Sequence, residues 1–305
     1  MNSRKQNTLV VILGPTGIGK TDLSIEIAKE LDTHIISCDS RQMYRELKIG
    51  TAVPEPQQLA EVQHHFIGNL SIHDYYNASE FEFQTLDLLE KLFETKKYAV
   101  MTGGSGLYID AVIKGIDDLP TIDKKVRKRY LKMYETYGIE KLREELKKND
   151  PDFYNIVDLN NYKRILKALE IFEMTGKPYS QLRTNPKKER PFNIIQIGLT
   201  MEREELYNRI NLRVDKMIKA GLIDEAKQFY QYRNLNALNT VGYKELFGYF
   251  DGNYDLQEAI RLIKRNTRHY AKRQLTWWNR DKSIIWFHPS QKEKILETII
   301  SAKLK

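Results

Sequence analysis

The sequence predicts an α/β protein: a parallel sheet flanked by helices and interrupted by an all-helical insertion. Three observations carry this. Five short runs rich in β-branched residues alternate with helical patterns. A glycine-rich loop follows the first of these runs and opens the first helix. One long internal stretch, residues 121–183, has helical periodicity only.

The predicted strands are Leu9–Leu13, His34–Ser37, Tyr98–Thr102, Ile194–Leu199 and Ser283–Phe287. Each is short and apolar, as strands buried on both faces are. Helical patterns such as Lys20–Leu31 and Phe81–Thr95 lie between them. Strands alternating with helices pair in parallel, each crossover helix packing on a face of the sheet. The interruption reads as helices over Lys124–Tyr137, Ile139–Asn149 and Tyr162–Thr175. Asp117-Asp118-Leu119-Pro120 opens it and Asn185-Pro186 lies near its end, both linker-like. The predicted division is therefore 1–116 with 195–305 as the core, and 117–194 as the insertion.

At 305 residues and 41% hydrophobic, the chain has the means for a folded core. Its one cysteine, Cys38, excludes an internal disulfide and a cysteine-built zinc site. Apolar runs reach only about six residues, against the ~20 that span a bilayer. No signal-peptide pattern follows Met1, so a cytoplasmic protein with no membrane partner is expected. The net charge is +8. It is unevenly spread: residues 1–116 carry −4, 117–194 carry +5 and 195–305 carry +7. Such a total is ordinary for a surface, but its distribution also suits a polyanion partner such as RNA.

Gly14-Pro15-Thr16-Gly17-Ile18-Gly19-Lys20-Thr21 fits the nucleotide-binding signature G-x-x-x-x-G-K-[ST], with a strand before it and a helix after. Glycines let backbone N–H groups turn inward around phosphate oxygens, and the helix N-terminus adds partial positive charge. Lys20 supplies a full charge and Thr21 can hold Mg²⁺. The predicted fold is thus a P-loop NTPase-like sheet. The motif selects a polyphosphate without specifying ATP. A switch or motor NTPase would end a neighbouring strand in a metal-binding Asp. Here Tyr98–Thr102 instead runs into Gly103-Gly104-Ser105-Gly106-Leu107-Tyr108. A carboxylate does follow the second strand, in Ser37-Cys38-Asp39. Residues just past strand C-termini line the site of such a sheet. Asp39 is therefore placed for a general base or metal ligand, or else for a helix cap.

The ordered series Gly14–Thr21, Asp39-Ser40-Arg41-Gln42-Met43-Tyr44, Ile49-Gly50-Thr51-Ala52, His64-His65 and Gly103–Tyr108 continues with Asn160–Glu170, Thr175-Gly176-Lys177-Pro178 and Gly242-Tyr243-Lys244-Glu245. It closes with Thr267-Arg268-His269-Tyr270-Ala271-Lys272-Arg273-Gln274-Leu275-Thr276-Trp277-Trp278. Over nearly the whole chain this resembles the bacterial tRNA dimethylallyltransferases (tRNA isopentenyltransferases). The resemblance implies transfer of a dimethylallyl group from dimethylallyl diphosphate to the exocyclic amine (N6) of adenine 37, beside the anticodon. Mg²⁺ is the implied cofactor, and the loop would hold a diphosphate leaving group.

By the same resemblance Asp39 removes the amine proton, with Thr16, Lys20 and Arg213 as further catalytic contacts. Gly14 through Thr21 bind the diphosphate, with Thr21 on the metal. Asp39, Ser40, Arg41 and Gln42 read an extruded adenine, whose edge suits the Gln42 amide. Ser105, Arg127 and the Lys163-Arg164-Ile165-Leu166-Lys167 segment correspond to tRNA contacts. In that segment the family's Q-R-x-x-R pattern is altered at two positions, so forked bonds there become simple charge contacts. Thr240, Val241, Gly242, Tyr243, Lys244 and Glu245 form another tRNA segment.

Arg261, Lys264, Arg265, Arg268, Lys272 and Arg273 recur at helical spacing as one broad basic face. Arg268, Lys272 and Arg273 are expected on the tRNA backbone. Neighbouring His64 and His65 point apart on a strand and lack a third ligand, so both are expected to be structural. A monomer is expected. Three rivals remain: a small-molecule P-loop kinase, an adenylate isopentenyltransferase acting on free nucleotide, and a non-enzymatic RNA-binding module.

Overall fold

The computed structural model describes residues 7–117, 119–184 and 188–302. In chain order the first elements are β1 (Thr8–Leu13), α1 (Lys20–Glu30), β2 (Ile35–Ser37), α2 (Pro56–Glu61), β3 (His64–His65), α3 (Ala78–Leu92), β4 (Tyr98–Gly103) and α4 (Gly106–Lys114). The helical stretch holds α5 (Lys124–Asn149), α6 (Pro151–Ile156), α7 (Tyr162–Thr175) and α8 (Tyr179–Leu182). The chain closes with β5 (Asn193–Leu199), α9 (Arg203–Lys219), α10 (Leu222–Gln228), α11 (Tyr243–Phe250), α12 (Leu256–Trp278), β6 (Ile285–Phe287) and α13 (Lys292–Ser301).

The six strands form one parallel sheet in the order β3-β2-β4-β1-β5-β6. Strand β1 is central and wholly buried. Its side chains alternate between two cores. Leu9, Val11 and Leu13 join Met101 and Phe81 on one side. Val10 and Ile12 join Val100, Ile27 and Ile210 on the other. This is why β1 reads as a continuous apolar run: both faces are covered. A third core, around Tyr243, Leu246 and Ile263, binds α9, α10, α11 and α12 together.

The sheet has a strand that five-strand patterning misses. His64 and His65 pair in parallel with Ile35 and Ile36. Two polar residues at an edge carry no apolar run to signal a strand. Their rings diverge as expected. His65 Nε2 lies 3.0 Å from His34 Nδ1, while His64 Nδ1 lies 2.7 Å from the Val62 carbonyl.

The chain separates into two compact units, 1–113 with 190–305, and 114–189. The later boundary falls before residue 194 for a physical reason. Arg190 donates to Glu82 Oε1 at 2.7 Å and to the Ala111 and Val112 carbonyls at 2.8 Å, which fixes it in the sheet unit. Asp118 and the Asn185-Pro186 linker lie outside the described residues. The smaller unit is all helix, around Tyr130, Leu142, Leu146, Ile165 and Leu169. Helix α5 is broken at Gly138, whose φ of 74° and ψ of −172° are not helical. This is the joint between the two predicted segments. Among the described residues no helix is long and apolar enough to cross a membrane.

Candidate active site

The site gathers at the C-terminal edge of the sheet, where β1, β2 and β4 deliver their following loops. The loop after β1 is shaped by glycine: Gly17 and Gly19 have φ of 83° and 100°, conformations a side chain disfavours. Gly19 then caps α1. Lys20 turns back over the loop and donates to the Gly14 and Pro15 carbonyls at 2.8 and 2.9 Å. Burial and the nearby Arg213 cation push its ammonium down to about 7, with Asp39 pulling the other way.

Asp39 stands two residues past the end of β2. Its Oδ1 accepts the Arg41 backbone N–H at 2.9 Å, closing a turn and capping no helix. Ser105, in the loop after β4, accepts the Ser40 N–H at 3.0 Å, tying the two loops together. The loops also meet at Gly103, where a Cβ would fall 2.2 Å from the Cys38 carbonyl oxygen. Burial, with Asp39 and Asp110 adding to it, raises the Cys38 thiol far above its ordinary range, so the neighbouring cysteine is inert.

Two cavities flank this point. One, of about 470 Å³, is lined by Gly17, Gly19, Lys20, Thr21 and Asp22, and by Arg209, Arg213 and Lys216 of α9. The other, of about 450 Å³, is lined by Ser40, Arg41, Thr240, Val241, Gly242, Lys244 and Arg273. Thr16, Asp39, Arg213 and Tyr270 line both. One cavity therefore holds phosphate-binding chemistry and the other a cationic rim, with Asp39 in their common wall. Arg213 Nη1 donates to Thr16 Oγ1 at 3.3 Å. Burial lowers the Arg213 guanidinium, again opposed by Asp39.

Several predicted contacts are placed elsewhere. Ile165 and Leu166 are 0% and 5% exposed in the helical core, so their side chains reach no ligand. Tyr243 is fully buried, and its hydroxyl donates to Glu225 Oε1 at 2.6 Å. Glu245 is buried too and accepts the Gly242 N–H and the Asn266 amide. The Gln42 amide is engaged at both ends: its nitrogen donates to the Thr51 and Ala52 carbonyls, and its oxygen accepts from Ser37 Oγ. Gln42 lines the first cavity while holding that loop in place. Arg127 forks onto the buried Glu170 carboxylate at 2.8 and 2.9 Å. Beside it, burial lowers the Lys167 ammonium, with Glu170 opposing. Lys163 and Arg164 are exposed on the same helix, α7.

The basic face of α12 is partly self-neutralised. Arg261 pairs with Glu258 and Lys264 with Asp215. Arg268 donates to Asn211 and lies over the Tyr207 ring. Lys272 and Arg273 are exposed.

Gln274, Arg209 and Lys216 are among the cavity residues that the predicted site lacked. Gln274 is 5% exposed and accepts the Thr16 N–H at 2.9 Å while donating to the Gly104 carbonyl at 2.8 Å. It pins the phosphate loop to the β4 loop. Arg209 donates to the Gly17 carbonyl at 3.0 Å. Arg209 and Lys216 share one face of α9 with Arg213, at i, i+4 and i+7, a spacing legible in the sequence.

Comparison with known proteins identifies the family of the chain. The IPP transferase family model matches residues 42–281. A tRNA dimethylallyltransferase 1 of Bacteroides fragilis is 53% identical over 98% of this chain and 99% of its own. One of Phocaeicola vulgatus is 54% identical over 97% and 98%. Among solved structures, a tRNA isopentenylpyrophosphate transferase of Bacillus halodurans superposes with a TM-score of 0.72 at 38% identity, covering 98% of this chain and 97% of that one. A eukaryotic dimethylallyltransferase acting on tRNA gives 0.79 at 25% identity, over 97% and 80%.

Proposed function

The chain belongs to the IPP transferase family, and we propose that it is a tRNA dimethylallyltransferase, moving a dimethylallyl group from dimethylallyl diphosphate onto N6 of adenine 37. The observation that carries this reading is the shared wall. A phosphate-binding cavity and a cation-rimmed cavity meet at Asp39, Thr16 and Arg213. Two substrates can thus approach from two sides and react between them. The relatives' tRNA substrate and the net positive charge of residues 195–305 support an RNA in the second cavity.

In this mechanism the diphosphate lies against the Gly14–Thr21 loop. Lys20 leaves its two carbonyl partners for the phosphates, and Arg209 and Arg213 add positive charge from α9. The adenine, extruded from its stack, presents N6 to Asp39. As N6 bonds to the allylic carbon, the carbon–oxygen bond to diphosphate breaks. Asp39 takes the N6 proton, which the amine can release only as its lone pair becomes committed to carbon. Thr16, held by Gln274 and Arg213, stands at the junction. Holding both partners at the common wall of the two cavities supplies much of the acceleration.

The donors fit Mg²⁺. The Thr21 hydroxyl and substrate phosphate oxygens are hard ligands, and Mg²⁺ is habitually bound with phosphate and waters. When bound, it neutralises negative charge on the leaving group. A monomer is proposed, working in the cytoplasm where a tRNA substrate is met.

Purified protein with Mg²⁺, dimethylallyl diphosphate and an anticodon stem-loop carrying adenine 37 is expected to add one dimethylallyl mass to the RNA, read by mass spectrometry. Product from free AMP and none from RNA would establish the adenylate isopentenyltransferase instead.

A further inference from the structure

Helix α12 supplies Tyr270 and Arg273 to the cavity wall and Gln274 to the phosphate loop. One turn further on, Trp277 has no part in either cavity. It is 41% exposed, although Trp278 beside it is 3% exposed in the core. An exposed indole is a cost to solubility and asks for a reason.

Its setting is built. Trp277 Nε1 donates to Asp110 Oδ2 at 2.9 Å. Its ring sits so close to Gly106 that a Cβ there would fall 2.7 Å from Cδ1 and Nε1. The polar edge is therefore satisfied and the ring orientation fixed, while much of the indole stays open. Gly106 directly follows Ser105, which accepts the Ser40 N–H next to Asp39. The platform thus rests on the same loop that borders the proposed reaction point. Arg273 lies one turn before Trp277 on the helix, and Arg280 lies two residues past the helix end; both are exposed.

We propose that Trp277 is a stacking platform for a nucleotide flanking the extruded adenine. This deepens the function given above and rests on it. Extruding one base from a loop removes a stacking partner from each neighbour. A flat, fixed indole beside the cavities replaces one of them without reading base identity, because every base has a π-face. Flanking arginines suit the phosphates of that nucleotide.

The test uses the full chain, Mg²⁺, dimethylallyl diphosphate and an anticodon stem-loop. Trp277→Leu, which retains apolar packing on Gly106, is expected to raise KM for the RNA by roughly tenfold with kcat nearly unchanged. Trp277→Phe, which loses the bond to Asp110 but keeps a flat ring, is expected to stay near the wild type. With 2-aminopurine next to the target adenine, fluorescence rises with Trp277→Leu and stays quenched with the wild type and Trp277→Phe. An active wild type with Trp277→Leu equally good on RNA, or with Trp277→Phe as poor as Trp277→Leu, overturns the platform. A wild type inactive on RNA overturns the underlying function as well.

Discussion

Lys20 is the residue whose chemistry changes most when an anion arrives. Burial and Arg213 hold its free pKa down at about 7. A bound diphosphate favours the charged form, so the bound pKa lies above the free one. Binding therefore takes up a proton wherever free Lys20 is neutral. Affinity is full below about pH 7 and falls as pH rises above it. Calorimetry with inorganic pyrophosphate at fixed Mg²⁺ is expected to show this fall for the wild type and lose it in Lys20→Met, the difference removing the ligand's own titration. At the same scale Arg127 separates structure from recognition. Glu170 is fully buried and Arg127 forks onto it. Arg127→Ala is expected to cost about 2 kcal/mol, between the values for exposed and fully buried pairs. Lys163→Ala should leave the melting temperature alone and weaken RNA binding. Thermal melts and RNA titrations on the two variants check this. The sequence could not distinguish these cases: a positive residue on a helix looks the same whether a carboxylate lies beside it or not.

Helix α12 and its loops set the next scale. Gln274 accepts from Thr16 and donates to Gly104, so one buried amide fixes two site loops. Gln274→Ala leaves both partners unmatched, at about 1–3 kcal/mol in stability, and is expected to lower kcat because Thr16 shifts with the loop. Gln274→Glu keeps the acceptor for Thr16 but loses the donor to Gly104, and should fall between the two. Steady-state kinetics alongside melting separates the effects. Strands β1 and β4 were legible because burial on both faces leaves an apolar run, and β5, though interrupted by Gln196, through its three isoleucines. Strand β3 was not, being two histidines at an edge. Gly138 was legible as a joint because only a break in periodicity separates two helical faces. The phosphate loop and Asp39 were legible because their chemistry dictates residue type and spacing. Tyr243 and Glu245 were not, since a polar side chain in a motif can serve the fold as readily as a ligand, and only hydrogen-bond partners decide.

For the whole molecule, charge and cavities say the same thing. The net +8 resolves into an acidic first third and two basic segments. RNA affinity is expected to fall linearly in log–log form as salt rises, and Lys163→Ala to reduce that slope by about one. Pyrophosphate, held within a cavity of named cations, should respond to salt far less, and filter binding across a salt series compares the two. The proposed function rests on two substrates meeting at Asp39, between the two cavities. The direct measurement is the turnover of Asp39→Ala on an anticodon stem-loop, beside its RNA affinity. Turnover is expected to fall by about a hundredfold or more with affinity nearly unchanged. Wild-type turnover in Asp39→Ala would contradict it.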